Sequence, residues 1–352
     1  MQARCLLTGP GLLGELQPRL NASGIHTAHD FHTRTTLDLV ESLDVPYHVV
    51  QRLREQVAQL TAPPLVTASA MLRQQGDAAH PLPTRLPDLD RALHGGFPCG
   101  SVTEIVGPAG LGKTQFCLAA AADICCSPPI LAGAQVLYID TEQKFSSLRL
   151  EEIARQRSPE GRLAPGDKER LLESVLVLRP RHSHELLARL QALEASPLPL
   201  SLVLVDSVAQ LARLDHGPGV KGVVARQQQL AAVAARLKAL SRRRGIPVLV
   251  TNQVAGAGGG CVAAALGPLW AHAVNTRLML HQLEGGSRYV QVAKSASAPL
   301  TAVAYRITAA GPAPAPDAPP PPLHLLTEGD VLGQVMAQGT AYTDAIGADE
   351  AW

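Results

Sequence analysis

Short apolar segments alternate with helical segments along the central part of the chain. Apolar runs of five or six residues are typical of buried strands, and the longer segments between them have helical character. Alternation of this kind predicts a mostly parallel sheet covered on both faces by helices, which is an α/β fold. The predicted strands are 101–106, 135–140, 174–179, 200–205 and 246–251, and the predicted helices are 114–125, 145–156, 182–194 and 223–243.

The pattern changes beyond residue 275, where an antiparallel hairpin is predicted. Residues 276–283 and 288–294 are separated by Glu284-Gly285-Gly286-Ser287, which has the composition of a turn. Residues 311–323 are rich in proline, which cannot donate to a strand ladder. We therefore predict an extended, solvated insert there, which either binds a polyproline-recognising domain or, as we favour, is a tolerated surface segment. A C-terminal strand and tail at 324–352 complete the prediction.

Residues 1–60 have the pattern of a small all-α domain. Leucines recur at helical spacing, Gly24-Ile25 interrupts the chain, and further helices are predicted from Thr36 and from Val49. The leucines of the first helix are Leu12, Leu13, Leu16 and Leu20.

Residues 61–84 have the composition of a linker, because prolines punctuate a polar run. The apolar patch Leu65-Val66-Thr67-Ala68 lies within it. Two interpretations are equally open. The patch either adds as a strand to the sheet edge of a neighbouring subunit or packs as a loop on its own domain.

Composition narrows the class of protein. The 352 residues carry a net charge of +1, so no overall positive field indicates nucleic acid, although a local basic surface is compatible with it. Aromatic residues make up 3% of the chain, so the core must consist mainly of Ala, Leu and Val. The six cysteines form no Cys-x-x-Cys pair, which argues against a zinc site or a disulfide framework. With no signal-peptide pattern and no apolar stretch of about 20 residues, we expect an intracellular protein without a membrane span.

The segment from Gly107 to Thr114 fits the phosphate-binding pattern G-x-x-x-x-G-K-[ST]. Glycines let the backbone curl so that successive N–H groups point at a phosphate, which a Cβ at the tightest points would prevent. Lys113 supplies a charge for the β and γ phosphates, and the Thr114 hydroxyl is a Mg²⁺ ligand candidate. A strand before the loop and a strong helix former after it disfavour a glycine-rich turn arising by chance.

Polar residues follow three of the predicted strands and complete the candidate chemistry. Asp206 ends an apolar strand, where it either holds Mg²⁺ opposite Thr114 or caps the next helix; the phosphate loop favours the metal interpretation. Ser207 follows, so the water-activating carboxylate must come from elsewhere. Glu142 is the candidate, at the end of a strand that we expect beside the phosphate-loop strand, with a solvated Glu as the alternative. Gln253, before a glycine-rich loop, can hydrogen-bond a γ-phosphate.

These motifs together resemble the RecA-fold recombinases, in particular their eukaryotic and archaeal strand-exchange branch. The resemblance covers about 86–310 and includes four ordered segments. Within the branch the chain is similar to the eukaryotic recombinase paralogs, and most of all to the B-type paralog. The four segments are 89–115, Tyr138-Ile139-Asp140-Thr141-Glu142, Leu204-Val205-Asp206-Ser207 and Thr251-Asn252-Gln253; the paralog likeness lies in Gly112-Lys113-Thr114-Gln115-Phe116-Cys117, 265–278 and 293–295.

The resemblance implies a RecA-like ATPase core at 85–310 and assigns roles to single residues. Glu142, Lys113 and Gln253 would be catalytic, Thr114 and Asp206 would hold Mg²⁺, and Arg149 would lie over the adenine of ATP. Segments 209–222 and 254–272 would line single-stranded DNA, and Leu65 and Ala68 fall where the family has its subunit-docking segment. The implied ATP-binding residues are Gly107, Pro108, Ala109, Gly110, Leu111, Gly112, Lys113, Thr114, Gln115 and Arg149.

The implied function is that of an ATP-binding, DNA-stimulated ATPase subunit of a heteromeric recombinase-paralog complex. Such a complex promotes recombinase filament assembly on single-stranded DNA during homologous-recombination repair of double-strand breaks in the nucleus. The implied partners are other paralogs, with the C-type paralog as direct neighbour, the recombinase filament, and single-stranded and branched DNA, but no membrane. Two alternatives remain: an assembly subunit with negligible hydrolysis, and a hexameric DNA helicase of related fold.

Two departures from the family pattern favour a mediator over a stand-alone recombinase. The first candidate DNA segment carries only Arg213, His216 and Lys221 as basic residues, and the second offers no Lys or Arg before Arg277. Phosphate neutralisation supplies most single-strand affinity, so few cations predict weak autonomous binding to DNA. The docking segment has Leu65 where an aromatic anchor is expected, which predicts weaker self-polymerisation.

Overall fold

The computed structural model describes residues 9, 11–75, 80–126, 133–158, 161–210, 220–256, 262–264 and 266–327. The chain divides into two compact units, with the boundary between residues 76 and 77. In the described part of the chain, no helix combines the length and the apolar character needed to cross a membrane.

The elements described in the N-terminal unit are helices, as predicted, but the unit extends to residue 76 and includes a helix within the predicted linker 61–84. Its helices are α1 (Leu12–Ala22), α2 (Ala28–Thr33), α3 (Thr36–Leu43), α4 (Tyr47–Thr61) and α5 (Ala68–Gln75). The sequence pattern predicted α1, α3 and α4 but not the short α2 or α5. Thr27 with Asp30 and Thr35 with Asp38 form reciprocal capping boxes that begin α2 and α3. Buried leucines, valines and Phe31 form the hydrophobic core of this unit.

The second unit contains a sheet of nine strands. Their order across the sheet is β11-β10-β9-β8-β1-β5-β4-β2-β3, which joins a parallel part to an antiparallel extension. Strands β8 to β11 pair antiparallel, whereas β8, β1, β5, β4, β2 and β3 run parallel. The strands are β1 (Val102–Val106), β2 (Gln135–Asp140), β3 (Val175–Leu178), β4 (Leu200–Asp206), β5 (Val248–Asn252), β6 (Val254–Gly256), β7 (Val262–Ala264), β8 (Thr276–Gln282), β9 (Arg288–Lys294), β10 (Thr301–Thr308) and β11 (Gly311–Pro314), of which β6 and β7 form a separate ribbon.

Helices cover both faces of this sheet, which confirms the predicted α/β architecture. One face packs on Phe116, Leu118 and other residues of the helix after the phosphate loop, and the opposite face packs on Leu190, Leu237 and Trp270. The helices are α6 (Pro87–Ala92), α7 (Lys113–Cys126), α8 (Ser147–Arg157), α9 (Asp167–Glu173), α10 (Ser183–Ala195), α11 (Val220–Arg244), α12 (Gly267–Ala273) and α13 (His324–Thr327).

Three expectations drawn from the sequence are wrong. Strand β2, which carries Glu142 beyond its end, does not lie beside β1, because β5 and β4 stand between them. The proline-rich insert begins with a strand, since Pro312 and Pro314 of β11 pair with Ile307 and Tyr305 of β10. Proline is tolerated there because β11 is an edge strand and needs no donor on its outer side. Residues 324–327 are helical, and the rest of the predicted C-terminal strand and tail lies outside the described residues.

Candidate active site

The phosphate-binding loop joins the end of β1 to the start of α7. Gly110 and Gly112 have left-handed φ values of 83° and 96°. A Cβ at Gly112 would lie 2.7 Å from Ile307 Cδ1, and one at Gly107 would lie 2.9 Å from Leu280 Cβ. Both distances are too short for a side chain, so the loop is closely packed against β8 and β10 and requires glycine at these positions.

Tyr305 further braces the loop, because its hydroxyl donates a 2.7 Å hydrogen bond to the carbonyl oxygen of Leu111. Lys113 Nζ donates to the carbonyl oxygens of Gly107, at 2.6 Å, and Pro108, at 2.9 Å. Burial lowers the pKa of Lys113, and the nearby carboxylates of Asp206 and Glu142 oppose that shift. The Lys113 ammonium group is therefore held by the loop's own carbonyl oxygens and lies near the carboxylates of Asp206 and Glu142.

Asp206, at the end of β4, is a buried hydrogen-bond acceptor. Its Oδ2 accepts from the Thr114 hydroxyl at 2.7 Å and from the Tyr138 hydroxyl at 2.9 Å, and its Oδ1 accepts from Thr251 Oγ1 at 2.5 Å. The structure thus brings together the two groups predicted to face Mg²⁺. Tyr138 and Thr251 were not foreseen as site residues; both lie within strands already recognised from the sequence.

Glu142 lies just beyond the end of β2 and is hydrogen-bonded through both oxygens. Its Oε1 accepts from Ser207 Oγ at 2.6 Å and from Gln253 Nε2 at 3.2 Å, and its Oε2 accepts from Lys144 Nζ at 2.5 Å. Burial by itself would raise the pKa of Glu142, but the hydrogen bonds from Lys144 and Ser207 and the Lys144 charge bring it below its ordinary value. The carboxylate is therefore an anion fixed in place by three donors.

The backbone around Glu142 is anchored by interstrand hydrogen bonds. Thr141 N donates to the carbonyl oxygen of Asp206 at 3.0 Å, and Ser207 N donates to Thr141 Oγ1 at 2.8 Å. On the other side, buried Asp140 accepts from the backbone N–H groups of Lys144, at 2.9 Å, and Phe145, at 3.2 Å. Glu142 reaches the site although β2 is distant from β1, since the carboxyl ends of all the parallel strands meet at one sheet edge.

Arg149 and Gln115 lie together beside the first turn of α7. Arg149 Nε donates to Gln115 Oε1 at 2.8 Å, and its terminal nitrogens donate to the carbonyl oxygens of Thr308, at 2.6 Å, and Ala309, at 3.1 Å. The guanidinium group is thereby held against the turn between β10 and β11, next to the phosphate-binding loop. This is the position that the resemblance associates with the adenine.

A buried ionic network behind the site was missed by the sequence analysis. Glu104 of β1 accepts from Asn252 Nδ2 at 2.7 Å, from Trp270 Nε1 at 2.8 Å and from Arg277 Nε at 2.6 Å. Glu104 and Arg277 have no exposed side-chain surface, so Arg277 is not a cation available to DNA. Opposite charges inside the apolar runs of β1 and β8 were the signal that could have revealed this pair.

The candidate DNA segments are described only in part. Residues 211–219, which include Arg213 and His216, lie outside the described residues, as do 257–261 and 265. Of the second segment, β6, β7 and α12 are described, and α12 packs through Trp270 against the sheet. The predicted contacts with single-stranded DNA remain predictions.

The described residues fit a magnesium-bound nucleoside triphosphate. The loop leaves no room for a Cβ at Gly107 or Gly112, and its backbone lies at the N-terminus of α7, where anions are stabilised. A buried carboxylate at Asp206 and a hydroxyl at Thr114 are the oxygen donors that Mg²⁺ prefers. Glu142 and Gln253 add a fixed anion and an amide donor on the same sheet edge, an arrangement that can orient a water molecule for attack on a phosphoryl group.

The chain is similar to known proteins over most of its length. A family model described as Rad51 matches residues 81–313. The human protein named DNA repair protein RAD51 homolog 2 is 37% identical over 335 residues, which cover 86% of this chain and 86% of the human protein. The Arabidopsis thaliana protein of the same name is 33% identical over 341 residues, 88% of this chain and 90% of the plant protein. DNA repair protein RAD51 of Saccharomyces cerevisiae is 32% identical over 293 residues, 80% of this chain and 70% of the yeast protein.

Proposed function

The chain belongs to the Rad51 family, and on that premise we propose that it is an ATP-binding and DNA-stimulated ATP-hydrolysing subunit of a heteromeric recombinase-paralog complex. The similarity to RAD51 homolog 2 confirms the resemblance to the B-type paralogs. We further propose that the complex acts in the nucleus, where it promotes recombinase filament assembly on single-stranded and branched DNA during repair of double-strand breaks by homologous recombination.

The observation that carries the proposal is the convergence of four strand ends on one site. Lys113 and Thr114 follow β1, Asp206 ends β4, Glu142 follows β2 and Gln253 follows β5. Thr114 is hydrogen-bonded to Asp206, and Gln253 is hydrogen-bonded to Glu142. Burial of a carboxylate such as Asp206 is costly without a compensating group, and a bound Mg²⁺ would supply one.

In the proposed mechanism each side chain has a separate task. Bound ATP would supply the phosphoryl group, and Mg²⁺ would neutralise the negative charge of the phosphates. The backbone of Gly107–Thr114 would hold the phosphates with Lys113 Nζ, while Thr114 and Asp206 would hold the metal. Glu142 would orient a water molecule and accept its proton, and Gln253 would donate from Nε2 to the γ-phosphate. Gln115 and Arg149 would contact the base side of the nucleotide.

The proposed partners are other recombinase paralogs, with a C-type paralog as direct neighbour, and the recombinase filament. The docking segment supports this part of the proposal, because Leu65 is fully exposed and Val66 is half-exposed. An exposed apolar segment of this kind is suited to add to a neighbour's sheet edge. An aliphatic anchor in place of an aromatic one favours a heteromeric complex over self-polymerisation.

An assembly subunit with negligible hydrolysis is the second candidate. It is favoured by one specific observation, the ion pair between Lys144 and the proposed catalytic carboxylate Glu142. In that case ATP binding alone would shape the subunit interface. No observation favours the hexameric helicase.

Single-turnover ATP hydrolysis separates the two candidates. The full chain, with its co-purified partners and with single-stranded DNA, is compared with Glu142→Gln and with Lys113→Ala. Hydrolysis by the unmodified chain that Glu142→Gln reduces at least tenfold, with ATP binding retained, supports the ATPase. Equal rates for both proteins would favour the assembly subunit. Failure of the unmodified chain and its complex to bind Mg-ATP at all would overturn both, and Lys113→Ala marks the background of the binding assay.

A further inference from the structure

Lys144 lies two residues beyond the proposed catalytic carboxylate and turns back onto it. Its Nζ is 2.5 Å from Glu142 Oε2, whereas Glu142 Oε1 is occupied by Ser207 and Gln253. Both oxygens of the carboxylate therefore accept hydrogen bonds, and one of them accepts from a cation.

The local backbone produces this contact. Gln143, between the two residues, has a left-handed φ of 55°, which turns the chain sharply. The backbone N–H of Lys144 is fixed by a 2.9 Å hydrogen bond to Asp140 Oδ1, and the next residue packs its ring on Tyr138 with centroids 4.9 Å apart. Because the main chain is held on both sides of the turn, the Lys144 side chain is directed at Glu142.

A carboxylate that serves as a general base needs a free lone pair and sufficient basicity. A neighbouring ammonium group opposes both, since it occupies one oxygen and stabilises the unprotonated anion. Resting on the function proposed above, we propose that Lys144 is a positioning residue that restrains Glu142 and so slows ATP hydrolysis relative to ATP binding. The subunit would thereby remain in its ATP-bound form for longer.

The restraint is modest because the Lys144 side chain is 64% exposed. An exposed ion pair contributes at most about 1 kcal/mol, which corresponds to roughly a fivefold change in rate. Lys144→Ala is therefore expected to raise the single-turnover hydrolysis rate about two- to fivefold, with an unchanged Kd for Mg-ATP. Lys144→Arg, which keeps a cation within reach of Glu142, is expected to restore a slow rate.

A matched control is provided by Lys168, which forms an ion pair with Glu151 at 2.9 Å and is 50% exposed. Lys168→Ala should leave the hydrolysis rate unchanged. A rate in Lys144→Ala that equals or falls below that of the unmodified chain would overturn the proposal. A folding defect cannot imitate the expected result, because damage does not accelerate hydrolysis. Failure of the proposed function itself is seen separately, as hydrolysis that Glu142→Gln does not reduce.

A second readout needs neither nucleotide nor activity. Competitive acylation of lysine amines, quantified for each peptide by mass spectrometry, reports how strongly each amine is held. Since the hydrogen bond and charge of Glu142 raise the pKa of Lys144, Lys144 should be acylated faster in Glu142→Gln than in the unmodified chain. Lys168 should be acylated equally in both proteins. Equal reactivity of Lys144 in both would contradict the contact on which the proposal depends.

Discussion

Replacement of Arg277 by Met tests whether the buried network behind the site holds the core together. The change removes the guanidinium group that donates to Glu104 Oε2 but keeps an unbranched side chain in β8. Glu104 would retain Asn252 and Trp270 as donors and lose its balancing charge. The expected result is a large loss of stability, because a buried carboxylate would remain without a cation.

The magnitude follows from burial. Both side chains of the Glu104–Arg277 pair are 0% exposed, and removal of one partner from such a pair costs about 3–5 kcal/mol. At about 2–4 °C per kcal/mol for a domain of this size, the melting temperature should fall by roughly 6–20 °C. Arg91 provides the matched control, since it pairs with Asp88 at 77% and 67% exposure. Arg91→Met should cost less than about 1 kcal/mol.

The assay is thermal unfolding followed by tryptophan fluorescence. The chain has two tryptophans, Trp270 and Trp352, so a Trp352→Phe background confines the signal to Trp270 within the network. The reasoning is refuted if Arg277→Met lowers the melting temperature no more than Arg91→Met does. In that case the fully buried ion pair would contribute no more than one in solvent.

Two further predictions concern the phosphate-binding loop and acid sensitivity. Gly112→Ala should weaken Mg-ATP binding about tenfold or more in calorimetric titrations, because its φ of 96° and the 2.7 Å approach to Ile307 Cδ1 exclude a Cβ; Gly245→Ala, also at positive φ but with open space around it, should leave affinity intact. Burial lowers the pKa of His281, so the unfolded chain binds a proton that the folded chain does not, and stability should fall as pH decreases through about 6.5. His281→Gln should therefore lose less stability than the unmodified chain between about pH 7.5 and about pH 5.5 in denaturant titrations, and an equal loss would show that His281 does not contribute.

Element types were largely predictable, whereas neighbour relations were not. The predicted strands 101–106 and 135–140 became β1 and β2 almost unchanged, because short runs of buried residues between helical segments are typical of a parallel sheet. The separation of β2 from β1 by two intervening strands depends on how the connecting helices cross the sheet, which a linear pattern does not contain. Edge strand β11 was not predicted for a related reason. Proline is unsuitable for a strand only where both sides of the strand are paired, and the sequence does not show which strands lie at the edge.

The candidate site shows the same division. Lys113, Thr114 and Asp206 were identified because loop glycines and strand-end acids have local chemical signatures, and the structure places the last two in direct contact. Lys144 and Tyr138 had no such signature, since their contacts with Glu142 and Asp206 depend on a turn and on strand order. Sequence motifs thus indicate which groups carry the chemistry, and the fold determines what restrains them.

Glu104 also explains how the site can be connected to the segment that follows Gln253. Asn252 directly precedes Gln253, and its side-chain oxygen accepts from Gln253 N at 2.7 Å, whereas Trp270 lies in α12 at the far end of the segment. Asn252 and Trp270 both donate to the same oxygen of Glu104. The residue before Gln253 and the helix α12 therefore share one fully buried acceptor. Because Glu104 and Trp270 are both buried in close-packed surroundings, neither donor can shift gradually without disturbing the acceptor that the other one uses.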